Sequence, residues 1–145
     1  MASNHTSTLQ LSQWLATDPV LRSDFNSDNQ KIETAMHNMP RFVAGSYIGT
    51  GNYGPEHPKR LTFTFTPLIV VVVADKGGSL YPGAIFLHNQ TQSSGLGHHD
   101  SSSETMQLHI TWEDKTVSWY TDRSFAEPQL TVQGTTYYYF ALGVS

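Results

Sequence analysis

The chain is predicted to be mainly β: an N-terminal arm and a single coiled-coil-like helix, followed by an antiparallel β-sandwich or jelly-roll-like head. Three observations predict this. Helix signals are confined to one segment, Thr17 to Pro40. Beyond Pro40, short alternating or β-branched runs recur, broken by turn residues every 8–12 residues or so, the spacing of sandwich strands. Charged residues make up only 14%, against about 25% in a typical soluble domain. The surface therefore relies on Ser, Thr, Asn and Gln, which suit sheets and turns.

Residues 1–16 read as a docking arm. Met1 to Thr8 are small and polar, and then Leu9, Leu11 and Trp14 place large apolar groups outside any evident core, where a partner must cover them. Residues 17–40 read as a helix with Asp18 as N-cap and Pro19 in its first turn. It should end near Asn38, because Pro40 cannot continue it and also restricts Met39. Leu21, Phe25, Asp28, Ile32, Ala35 and Met39 follow one another at spacings of 4, 3, 4, 3 and 4. That is the repeat of a coiled-coil seam, so Leu21, Phe25, Ile32, Ala35 and Met39 are expected to join copies of the chain. A helix packed on its own domain would carry nearly the same stripe, and Asp28 interrupts it.

Residues 41–145 form the head. Phe42–Ile48 is a first strand, followed by a turn-rich stretch from Gly49 to Pro58 that reads as a hairpin loop. Leu61–Phe65 alternates strictly, with threonines on the open face. Leu68–Val73 is β-branched and reads as a central strand buried on both faces. Ala84–Leu87 is short, and Asn89 to Ser103 is a polar loop. Met106–Trp112 and Thr116–Tyr120 make a tight hairpin. Thr135–Leu142 is an aromatic closing strand dense enough to pack on both sides.

Chemistry is sparse. There is no cysteine, which excludes thiolate nucleophiles, disulfides and cysteine-based zinc sites. Gly49 to Gly54 spells G-x-G-x-x-G, but a dinucleotide site needs a helix N-terminus directly after it. Pro55 and Pro58 stand there instead. No nucleophile elbow is present, and the acidic residues are scattered through loops. The expectation is a non-enzyme without cofactors.

The metal candidates are His98 and His99. Neighbours in an extended segment point to opposite faces, so one chain alone would not ligate through both, although three copies around an axis could. The net charge of −4 and the scattered Lys and Arg argue against nucleic acid and other phosphate-rich partners. The apolar run Leu68–Ala74 is far shorter than the roughly 20 residues of a membrane-spanning helix, so no membrane insertion is expected. Carbohydrate is the better partner class, since aromatic faces stack on sugars and amides read hydroxyls. Trp119, Tyr120, His98 and His99 are the candidate contacts, with Trp112 and Tyr139 expected in the core.

Two segments resemble known proteins. Leu11–Glu33 (LSQWLATDPVLRSDFNSDNQKIE) is similar to a Trp-containing arm leading into a "DFN-x-DN-x-K-I" helix. Gly45–Gly54, Leu61–Val71 and Tyr137–Gly143 resemble a "G-x-Y-x-G-x-G-x-Y-G … L-x-F-x-F-x-P" β-domain with an aromatic last strand. Both occur in tail-fibre or appendage proteins of phages and prophages of Gram-positive gut bacteria, and the matches cover about half the chain. The resemblance implies a virion component made in the host cytoplasm: a homotrimer anchored to other phage structural proteins, displaying its head for host-surface glycans. A non-adhesive head, neck or baseplate decoration protein and a glycan-degrading tail enzyme stand as alternatives.

Overall fold

The computed structural model describes residues 1–75, 83–94 and 107–145. It comprises two compact units, Met1–Met39 and Pro40–Val144.

In the first unit a small antiparallel pair, β1 (Asn4–His5) and β2 (Ser12–Gln13), precedes α1 (Arg22–His37). The helix starts three residues later than its capping signal predicts. Leu21 occupies the N-cap in extended conformation with no side-chain cap. Asp18 instead accepts the backbone N–H groups of Ser3 (2.9 Å) and Leu15 (2.8 Å) and the Ser3 hydroxyl. Its carboxylate is spent on folding the arm and has nothing left for the helix.

The arm lies along α1. Trp14 stacks on Phe25 with ring centroids 5.0 Å apart. The Ser12 N–H donates to Asp28 at 2.8 Å, and the Lys31 ammonium reaches both Asp28, at 3.1 Å, and the Gln10 carbonyl. This accounts for the acid on the apolar stripe: Asp28 is buried under the arm.

Burial alone would raise the Asp28 pKa, but the hydrogen bonds from Ser12 and Lys31 outweigh it and hold the carboxyl below its ordinary range. Hydrogen bonds from Ser3 and Leu15 do the same for Asp18. Groups with depressed folded pKa values stabilise the fold above the ordinary carboxylate pKa and lose that contribution as pH falls through the folded one. Acidification below about pH 4 should therefore release the arm, seen as fading Trp14–Phe25 contacts in NMR. Contacts surviving unchanged to about pH 2 would contradict this.

The second unit contains β3 (Arg41–Ile48), β4 (Lys59–Thr62), β5 (Thr66–Ala74), β6 (Gly83–Leu87), β7 (Gln92–Ser94), β8 (Gln107–Glu113), β9 (Thr116–Thr121) and β10 (Thr136–Val144). They form two four-stranded antiparallel sheets, β3-β10-β5-β6 and β4-β9-β8-β7. The fold is a β-sandwich. Val70, Val72, Phe86, Tyr137 and Ala141 of the first sheet face Leu61, Leu108, Ile110, Val117 and Trp119 of the second across one core. Phe86 and Trp119 meet across it at 4.7 Å. Each fully buried large apolar side chain contributes about 1.5–3 kcal/mol.

Leu61, Phe63 and Phe65 are buried while Thr62 and Thr64 are exposed, so the alternation holds past the end of β4. The β8–β9 turn is tight, with Asp114 at φ 50°, a left-handed conformation that Asp tolerates.

Two expectations are corrected. β5 is central but buried on one face only: Val70 and Val72 are inside, whereas Val73 is 46% exposed. Nothing in a run of four valines marks which face is wet. Residues 49–58 are not a hairpin loop either, since β3 and β4 lie in different sheets and do not pair. The segment crosses from one sheet to the other.

Candidate functional site

That crossing builds a cleft of about 320 Å³ lined by Ile48, Asn52, His57, Lys59, Arg60 and Thr131 among others. Its shape rests on one buried side chain. Gln129 is wholly inaccessible. Its Oε1 accepts the N–H groups of Gly54 at 2.8 Å and Thr121 at 3.1 Å, and its Nε2 donates to the His57 carbonyl at 2.7 Å. Its own carbonyl accepts the Trp119 indole N–H at 2.8 Å. These bonds pair groups in a setting where an unpaired one is costly.

Further bonds fasten the same two loops. Thr131 Oγ1 donates to the Asn52 carbonyl at 2.6 Å, Tyr47 Oη donates to the Leu130 carbonyl at 2.9 Å, and the Gly51 N–H reaches Thr131 O at 2.7 Å. Gly49 is required by space: a Cβ there would come within 2.1 Å of the Val132 carbonyl oxygen.

The cleft is cationic. The Lys59 ammonium sits 3.6 Å from the centroid of the Tyr47 ring, a cation–π contact, and burial pushes its pKa down. Burial likewise pushes the Tyr47 phenol up, with Tyr137 adding to it, so the ring stays neutral. Neither Lys59 nor Arg60 has a carboxylate within ion-pair distance among the described residues. Lys59, His57 and Asn52 line the cleft, and Arg60 borders it from the outer face of β4. That set recognises hydroxyls and acidic groups rather than apolar molecules.

A second polar surface lies on the outer face of β8 and β9. His109 stacks on Tyr120 at 4.7 Å, and its Nε2 is 2.6 Å from Asp122.

The residues expected to bind glycan divide sharply. Tyr120 is on this outer face. Trp119 is not: it is completely buried, packed at a tilt against Phe86 and bonded to Gln129, because adjacent residues of a strand point to opposite sides. Trp112 and Tyr139 are half-buried and pack against the core. His98 and His99 lie outside the described residues. Among those described, no three His, Asp or Glu side chains gather as metal ligands, and no helix is long and apolar enough to cross a membrane.

On the helix, Leu21, Phe25 and Ile32 are 41%, 49% and 37% exposed, so a row of apolar surface stays open beside the arm. Ala35 is half-buried, and Met39 lies past the end of α1. Of the arm residues, Trp14 covers Phe25, and its indole N–H is buried without an acceptor among the described residues. Leu9 and Leu11 are half-buried.

The site and its frame define a β-sandwich with a loop-built polar cleft at the joint between its sheets. No protein-family model, curated protein or solved structure matches the chain.

Proposed function

We propose that the chain is a structural component of a phage particle, a short homotrimeric fibre whose residues 1–16 dock it on the particle, whose residues 17–40 help join its copies, and whose β-sandwich binds host-surface glycan. The observation that carries the binding half is the braced cationic cleft, since a site held rigid before its ligand arrives loses less entropy on binding. Lys59, Arg60, His57 and Asn52 would engage an acidic, hydroxyl-rich sugar. Three copies on one fibre would turn weak single contacts into firm attachment. The attachment half rests on the resemblance of Leu11–Glu33 and on the open apolar row along α1.

The test is binding of labelled protein to Gram-positive cells and to their purified wall polysaccharides. K59Q/R60Q should weaken binding about tenfold or more, as expected when charge-assisted bonds are lost, and added salt should weaken the wild type but not the variant. Binding that is undetectable, or unchanged by the substitutions, would refute the adhesive role. Particles that lack the chain by mass spectrometry would refute the virion role.

A further inference from the structure

The outward faces of the two sheets are opposite in character. On β4, β9 and β8 the outward residues include Arg60, Thr62, Ser118, Tyr120, His109 and Thr111. The outward face of β3-β10-β5-β6 is apolar in continuous rows set by strand register. Phe42, Leu142, Ile69 and Leu87 are cross-strand neighbours in one row. Ala44, Phe140, Val71 and Ile85 form the next, and Ser46, Tyr138, Val73 and Gly83 the third. Apart from Arg41 at one corner, none of these four strands contains a charged residue.

These side chains are open to solvent to an unusual degree. Phe42 is 73% exposed, Leu87 51%, Tyr138 49%, Val73 46%, Val144 44%, Phe140 43% and Ile85 40%. Phe42 and Phe140 stack on one another at 6.4 Å, yet cover little of each other. At about 200 Å² for a large apolar side chain, the seven present roughly 700 Å². The largest apolar patch of an ordinary monomer is about 300–600 Å². A standard protein interface removes about 800 Å² from each partner, so the patch is the size of one interface half.

We infer that this sheet face is where copies of the chain meet. Its chemistry selects the occupant. A glycan would find almost no hydrogen-bonding groups on it, the main one being the Tyr138 hydroxyl, already 3.3 Å from Asp75. An anionic lipid surface needs a rim of Lys and Arg, which these strands lack, and the chain carries a net charge of −4. A second copy meets neither obstacle. Around a three-fold axis the faces of neighbouring copies converge, and outward rows without charged side chains place no like charges opposite each other. Sheet-on-sheet packing of two such faces is the arrangement already used inside the sandwich. The inference deepens the fibre reading by placing the contact in the head, and rests on that reading only for the number of copies.

The full chain in solution tests it by sedimentation velocity at tens of micromolar. Wild type should sediment as an oligomer. V71E/F140E, which puts carboxylates in the middle row at a half-buried and an exposed position, should weaken association at least tenfold while the circular dichroism spectrum stays that of the sandwich. Because the chain has no cysteine, A44C supplies a second readout that needs no charge insertion. Its reaction with a maleimide should slow severalfold as protein concentration rises. A monomeric wild type, association of V71E/F140E equal to wild type, or A44C reactivity independent of concentration would each overturn the inference. Failure of glycan binding would leave it standing.

Discussion

Trp119→Ala is expected to cost the head about 3–5 kcal/mol, the range for deleting a large buried aromatic side chain. Set against a total stability of about 5–15 kcal/mol for a natural domain, this leaves the sandwich marginal or unfolded at physiological temperature. The cost has two parts. The ring fills the space against Phe86 at the centre of the core, and the void left by alanine cannot collapse in a close-packed sandwich. The indole N–H also leaves the Gln129 carbonyl without its donor. Trp119→Phe separates these parts, keeping most of the volume and losing the hydrogen bond, and should cost about 1–3 kcal/mol. Urea unfolding followed by near-ultraviolet circular dichroism measures both. A small change for alanine would mean that the core closes around a different residue.

Gln129→Leu should cost about 3 kcal/mol or more, even though leucine is similar in size and better suited to an apolar site. The Gly54 N–H, the Thr121 N–H and the His57 carbonyl each lose their partner, and an unsatisfied buried group costs about 1–3 kcal/mol. The damage should also reach the cleft, because Gly54 and His57 belong to the segment that forms one wall. Sugar binding should therefore fall further than the lost stability explains, and amides of residues 50–57 should exchange with solvent faster than those of β8 and β9. Uniform loss of protection across the head would show that Gln129 supports the sandwich as a whole and not this wall.

Much of this fold could be read from local pattern. The alternation of Leu61 to Phe65, the hairpin at Asp114 and the break at Pro40 are short-range signals, and each is found where its chemistry puts it. The failures share a cause. Asp18 carries every mark of an N-cap, yet its oxygens are taken by Ser3 and Leu15, one of them distant in sequence. The valines of β5 have no polar residue to give the phase of the strand. Residues 116–121 alternate too, but aromatic residues stand on both phases, so nothing local says that Trp119 turns in and Tyr120 out. Gln129 is harder still. One glutamine in a loop has no pattern, and its importance comes from Gly54 and His57, more than 70 residues away.

The place of β10 between β3 and β5 shapes how the head can be made. Tyr137 pairs with Tyr47 on one side and Ala74 on the other, so neither ladder can form until residues 136–144 have left the ribosome. Until then the nascent chain holds β3 apart from the β5–β6 hairpin, with unpaired backbone edges on strands whose side chains are nearly all apolar. Such edges recruit other chains. The first sheet closes in a single late step, when one strand is threaded into a gap that has waited for it, and translation paused just before that point leaves the molecule at its most adhesive.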